Sequence, residues 1–168
     1  MLIREANSKD IDALAKLYTA NWKMTYRGLL PDEYLRHLDI PYAADKWSLF
    51  LKQPDHHILA VCEGSQLCGF GACSPDRDIE NCIYLDSLHI RMDAQGNGLG
   101  TRLIQTIGNC AAIEGYTKMS VCVVRGNERA RGLYTKLGAV HYSYFVDDFG
   151  QAQPQSEKLV WESLKSFR

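Results

Sequence analysis

The sequence predicts an α+β domain built on a mixed sheet. Three observations point there. Apolar residues recur at helical spacing before His57, and the period then switches to two. A strand, a glycine-rich loop and a helix follow between Asn81 and Ile113. A further strand, a helix and two closing strands complete the order. At 168 residues one domain spanning 1–168 is expected, long enough to bury most of its apolar surface without staples.

Leu2 to Ala6 reads as a short edge strand. Ser8 is placed to cap a helix in which Ile11, Leu14, Tyr18 and Trp22 share a face, running towards Tyr26 and closed by Gly28. Leu29-Leu30-Pro31-Asp32 opens a second helix with Tyr34, Leu35 and Leu38. A third piece, Tyr42 to Leu51, holds Trp47 and Phe50 and ends before Pro54. Ile58–Glu63 and Leu67–Ser74 alternate around Gly64-Ser65, which suggests a hairpin. After a polar loop, the strand ending at Ile90 leads to a helix with Leu99, Leu103, Ile104, Ile107 and Ala111 on one face and Gly115 as its C-cap. Lys118 to Val124 is a strand, Asn127 caps the next helix, and Gly138 ends it. Val140–Val146 and Glu157–Trp161 are the last strands, joined by a polar turn from Gly150 to Gln155.

The strand before the glycine loop changes phase. Ile83 and Leu85 share one phase of the alternation, and Leu88 and Ile90 share the other. Such a slip marks a β-bulge near Asp86-Ser87, unless the strand is simply apolar on both faces. The loop itself, Gln95 to Gly100, puts glycines at alternate positions where the helix starts. Backbone N–H groups there lack intrahelical partners, which makes the segment an anion seat, most often for phosphate. A Walker loop needs Lys and Ser/Thr after its last glycine, whereas Thr101 and Arg102 follow here. A dinucleotide fingerprint lacks its third glycine and its acidic partner.

Gln95-Gly96-Asn97-Gly98-Leu99-Gly100 resembles the Q/R-x-x-G-x-G/A signature of the GNAT acetyltransferase superfamily. Asn127 to Ala139 contains a run similar to that family's second signature, N-x-x-A-x-x-x-Y-x-x-x-G, in the family's order and at about its spacing. The resemblance implies a mostly antiparallel sheet with a splay between two central parallel strands, flanked by helices. It implies acetyl-CoA as co-substrate and transfer of the acetyl group to a primary amine of a small molecule or peptide by direct attack. The residues it places on the cofactor are Leu88, His89 and Ile90 through the strand backbone, Gln95, Gly96, Asn97, Gly98, Leu99, Gly100 and Thr101 at the loop, and Asn127 and Ala130 beyond. Tyr134 aligns with the tyrosine that protonates the leaving thiolate. Its periodicity, with Ala130, Leu133 and Leu137, equally describes a core aromatic.

A base or water-linked carboxylate is needed to neutralise the attacking amine. Asp86 is the one carboxylate in the central strand, with His89 and Tyr84 as alternatives. Asp86, Trp22, Tyr26 and Tyr144 are the expected acceptor contacts, with Asp147 and Asp148 suited to a cation. A non-catalytic acyl-CoA sensor or partner-binding module on the same fold is the alternative function.

Composition bounds the rest. A formal charge of −1 gives no electrostatic case for nucleic acid or an anionic membrane. The N-terminus carries charges where a signal peptide needs an apolar run, and no stretch approaches membrane-spanning length. Six cysteines without a CxxC pair read as reduced thiols in a cytoplasmic protein, with no metal site expected. The expected state is monomer or homodimer.

Overall fold

A computed structural model describes residues 1–150 and 152–167; Gln151, inside the predicted turn, lies outside them. The strands are β1 (Leu2–Glu5), β2 (His57–Glu63), β3 (Gln66–Pro75), β4 (Cys82–Ile90), β5 (Lys118–Val124), β6 (Val140–Val146) and β7 (Gln155–Trp161). The helices are α1 (Ile11–Thr25), α2 (Asp32–His37), α3 (Ile40–Leu51), α4 (Leu99–Ile113) and α5 (Glu128–Lys136). One sheet runs in the order β1-β2-β3-β4-β5-β7-β6. Its neighbours are antiparallel except β4 and β5, which are parallel.

Local chemistry sets the element ends. Asn7, rather than Ser8, is the first cap. Its side chain accepts from the Lys9 N–H at 3.0 Å, and the Asp10 carboxylate accepts from the Asn7 N–H at 2.8 Å, closing a capping box around a short 3-10 turn before α1. α3 starts earlier than predicted, because Asp39 caps it and Pro41 fits its first turn. Both α4 and α5 end in Schellman motifs. Tyr116 N–H reaches Ala111 C=O across Gly115, and Ala139 N–H reaches Tyr134 C=O across Gly138. Both glycines have the positive φ this motif requires.

The sheet is covered on both faces. α4 and α5 seal a core of Ile83, Leu85, Leu103, Ile107, Met119, Val121, Leu159 and Trp161. α1 and α3 seal the opposite face over β2 and β3 with Leu14, Tyr18, Trp47, Ile58 and Phe70. A smaller cluster, Leu30, Leu35, Leu38 and Ala152, ties α2 to the segment between β6 and β7. All six cysteines are free; Cys62, Cys68, Cys73 and Cys82 are buried, Cys122 is half-buried and Cys110 is exposed.

The phase slip in β4 is a bulge. Ala72 of β3 stands opposite Ser87, and Cys73 stands opposite Leu85, so Asp86 is the extra residue. The extra residue turns Leu88 and Ile90 back onto the α4 face, where they pack against the same core as Ile83 and Leu85. β4 pairs with β5 only from Cys82 to Leu85, opposite Lys118 to Val121. Beyond that point the two strands part while β5 continues along β7.

Beneath this gap, on the face away from α4, lies a buried ion pair. Lys158 Nζ is 2.8 Å from the Asp76 carboxylate, with side-chain exposures of 10% and 1%. Ser120 and the N–H groups of Asp78 and Ile79 also donate to Asp76. Burial opposes the charged carboxyl, but these donors outweigh it and hold Asp76 below the usual carboxylate range. Asp76→Asn leaves the ammonium to the exposed Asp78 carboxylate at 3.4 Å, a weak substitute, so we expect a loss of about 3 kcal/mol at neutral pH. The folded pKa is depressed, so this stability is present above the unfolded value of about 3.9 and lost as pH falls through the folded one. Thermal melts of both proteins should therefore diverge most near neutrality and converge in acid. Equal melting temperatures at neutral pH would show that the pair contributes nothing.

Candidate active site

The site begins at the loop between β4 and α4. Gly96 and Gly98 have φ of +80° and +75°, values that L side chains rarely adopt. Their left-handed turns bring the chain into α4, whose first intrahelical bond runs from Arg102 N–H to Gly98 C=O. The N–H groups from Gly96 to Thr101 have no backbone acceptor among the described residues. They form a run of donors at the positive end of a fifteen-residue helix. A Cβ built at Gly96 or Gly98 would meet nothing within 4 Å, so the space over the run is open. This arrangement suits a pyrophosphate.

The second part is the gap between β4 and β5. Arg91 N–H donates to Cys68 C=O on β3. By strand alternation the N–H and C=O of His89 also face β3, and those of Leu88 and Ile90 face the gap. Ile90 C=O is taken by two side chains, Asn21 Nδ2 and Gln95 Nε2, each at 3.0 Å. The Leu88 groups and the Ile90 N–H remain as a strand edge unpaired among the described residues. An amide-bearing chain, such as a pantetheine arm, pairs with an edge of this kind.

Tyr134 projects from α5. Its ring lies in the α5-side core, 5.9 Å from Trp161 in a T-shaped contact, and the residue is 7% exposed. Burial first, and then the nearby Tyr26, push its hydroxyl pKa upward, so the phenol keeps its proton. Asn127 caps α5 by accepting from Ala130 N–H at 3.3 Å, and its side chain also interacts with the Tyr26 hydroxyl.

On the far side of the gap the sheet carries a polar strip. Tyr84 is registered with Ser120, and Cys122 with Lys158, so these four share the face opposite α5. Asp86 has the same phase as Tyr84. Its carboxylate accepts from Ser87 Oγ at 2.8 Å and lies 3.7 Å from Lys46 Nζ. Trp22 packs at 4.4 Å from Tyr26 and 5.8 Å from Phe149, and Tyr34 lies 5.5 Å from Phe149. These rings wall the strip from the α1–α2 side.

A donor run for phosphate, an open strand edge and a polar strip flanked by aromatic rings therefore meet at one gap. Residues 14–139 match the Acetyltransferase (GNAT) family. The chain belongs to the GNAT acetyltransferase family. Its activity is transfer of an acetyl group from acetyl-CoA to an amine. Over 128 residues, 74% of this chain and 72% of the relative, it is 28% identical to the N-acetyltransferase YuaI of Bacillus subtilis. A shorter stretch of 57 residues, 34% of each chain, is 32% identical to the thialysine N-epsilon-acetyltransferase of Bos taurus. In fold it is similar to the PaiA N-acetyltransferase of Thermoplasma acidophilum in complex with coenzyme A. That likeness has a TM-score of 0.71 at 20% identity and covers 93% of this chain and 96% of the other.

Gly96, Asn97, Gly98, Gly100 and Thr101 present backbone donors at the loop. Leu99 contributes only its N–H, since its side chain is 3% exposed in the core. Gln95 is a brace: its N–H donates to Met92 C=O and one of its side-chain N–H groups to Ile90 C=O. Ala130 N–H is likewise used by the Asn127 cap. His89 is turned away from the gap in its backbone, which corrects its expected pairing with the cofactor. Its ring packs 5.3 Å from Tyr18 and 5.2 Å from Phe70, and burial together with Lys46 lowers its pKa to about 3. A ring so weakly basic cannot serve as the base near pH 7.

Trp22, Tyr26 and Asp86 share the strip, but Tyr144 does not. Tyr144 is registered with Glu157, whose carboxylate is held by Arg131 of α5 at 2.7 Å, so it faces the α5 side. There it stacks 4.4 Å from His141 and lines a pocket of about 410 Å³ with Arg125, Asn127, Glu128 and Arg131. Asn21, Lys46 and Phe149 were not anticipated. Each acts through a partner distant in sequence, and no local pattern marks it. Among the described residues no cluster of three or more His, Cys, Asp or Glu side chains suits a metal, and no helix is long and apolar enough to cross a membrane.

Proposed function

We propose that the gap between β4 and β5 is the catalytic centre, where an amine attacks directly without a covalent enzyme intermediate. The observation that carries this reading is the unpaired edge of Leu88 and Ile90 opening beside the donor run of Gly96 to Thr101. Those groups would hold acetyl-CoA, which supplies a thioester whose carbonyl carbon accepts the amine.

Each residue then has a task. The Leu88 and Ile90 N–H groups are the backbone donors available to a carbonyl oxygen gaining charge. Asp86 receives the proton that the ammonium must lose before its lone pair is free. Tyr134 donates a proton to sulfur as the carbon–sulfur bond breaks. Trp22 and Tyr26 wall the acceptor, which is a primary amine of a small molecule or peptide. The chain acts as a single domain over 1–168, as monomer or homodimer, in the cytoplasm, where its six thiols stay reduced. It takes no nucleic acid or membrane partner.

Thiol release from acetyl-CoA across a panel of primary amines tests this. We expect turnover with a subset of them. Tight acetyl-CoA binding without turnover on any amine would favour the acyl-CoA sensor instead.

A further inference from the structure

Resting on that reading, the charges along the acceptor strip narrow the acceptor further. Asp76 is neutralised by Lys158 at 2.8 Å, and Asp86 has Lys46 at 3.7 Å. Asp147 differs. It is half-buried, and its carboxylate accepts from the Ser156 hydroxyl at 3.3 Å and from the Asp148 N–H at 3.1 Å. Among the described residues it has no ion pair. Phe145, two residues before it, is registered with Ser156, so Asp147 and Ser156 share the acceptor face. Burial is the main cause that raises the pKa values of Tyr26, Tyr34 and Tyr84, and the Asp147 charge adds a smaller push to each, which agrees with its place on their side of the sheet. Phe149, two residues on, closes the aromatic wall against Trp22 and Tyr34.

A carboxylate without a cation, set among aromatic rings, is a seat for a positive charge. The attacking nitrogen cannot occupy that seat during reaction, because it must be neutral to attack. A seat kept for a lasting cation belongs to a second group on the same acceptor. We infer that the acceptor is a dibasic amine: one nitrogen is acetylated beside Asp86 while another, still protonated, is held by Asp147 and the rings of Trp22, Tyr26, Tyr34 and Phe149. The transfer balances. The amine nitrogen bonds the acetyl carbon, the carbon–sulfur bond breaks, the amine's proton leaves and the thiolate gains one. The second ammonium keeps its charge throughout.

The test compares straight-chain α,ω-diamines with the monoamine of each length. Wild-type kcat/KM should favour the best diamine by about 10–100-fold, the equivalent of one part-buried charge contact. Asp147→Asn should collapse that preference towards unity through KM rather than kcat, and Asp147→Glu should restore most of it. Calorimetry of the same diamine against protein saturated with coenzyme A reads the seat without chemistry. Diamine binding that Asp147→Asn weakens supports the seat even if no amine turns over, in which case the transferase reading alone falls. Equal kcat/KM for diamines and monoamines, or diamine binding indifferent to Asp147→Asn, overturns the inference.

Discussion

Gly98→Val lowers acetyl-CoA affinity by about 100-fold or more while the protein stays folded. Gly98 is the N-cap of α4 and holds φ at +75°. A β-branched residue there is strained by about 1–3 kcal/mol. The strain is relieved by rotating the peptide planes that aim the donor run from Gly98 to Thr101. Each charge-assisted bond to a phosphate is worth about 1.5–3 kcal/mol, so misaiming two of them gives the stated loss. The Val side chain meets no protein atom within 4 Å of its Cβ, so it projects into the space over the donors. The fold should lose no more than the strain, a melting temperature shift of roughly 2–12 °C. Gly100 behaves differently. A Cβ there lies 3.5 Å from Leu133 and 3.8 Å from Leu88, in ordinary contact with the core beneath the loop. Gly100→Ala should therefore cost far less affinity than Gly98→Val. Calorimetry on both variants checks the pair, and an unchanged affinity in folded Gly98→Val removes the phosphate seat from this loop.

What the sequence made legible follows a physical rule. Features encoded by neighbours along the chain were readable. The β4 bulge betrayed itself because one extra residue inverts the apolar phase between Leu85 and Leu88. The glycine ends of α4 and α5 were readable because their left-handed positions exclude other residues. Features created by long-range register were not. The Asn21 bond to Ile90 C=O spans 69 positions, and neither residue advertises the other. Tyr144 was expected on the acceptor side from its place in the last strands. Its face is set instead by pairing with Glu157 after an irregularity between His141 and Ser143. His89 offered a pKa near neutrality on paper, and Tyr18, Phe70 and Lys46 take it away.

The acceptor strip shows how the fold divides labour. The proposed cofactor side rests on backbone donors at the start of α4, which tolerate many side chains. The opposite face is built from side chains of β4, β5, β7, α1 and the segment after β6, where few glycine or helix signals exist. Two of the carboxylates there have distinct partners, Lys158 for Asp76 and Lys46 for Asp86. Such pairing is a property of the assembled sheet. A reading from local pattern finds the cofactor seat more readily than the acceptor for that reason.

Tyr134→Phe separates the two readings of the tyrosine, and turnover should fall by about 10²–10⁴-fold with acetyl-CoA affinity little changed. The ring is core: it is 7% exposed and packs edge-on to Trp161 at 5.9 Å. Phenylalanine keeps that packing. The hydroxyl forms no hydrogen bond among the described residues, so its removal strands no partner and the melting temperature should hardly move. Stability and rate are thus uncoupled in this one substitution. The magnitude depends on how proton transfer is timed. A free thiol has a pKa of about 8.5 and a free tyrosine about 10, and burial raises Tyr134 further. Transfer to a fully formed thiolate is therefore uphill, and the proton must move while the carbon–sulfur bond is still breaking and the sulfur lies in the low dielectric between β4 and β5. In that regime the loss appears in the chemical step itself. Single-turnover kinetics with enzyme in excess measures that step apart from product release. A single-turnover rate in Tyr134→Phe equal to that of the unsubstituted enzyme would return Tyr134 to the core and assign the proton to water.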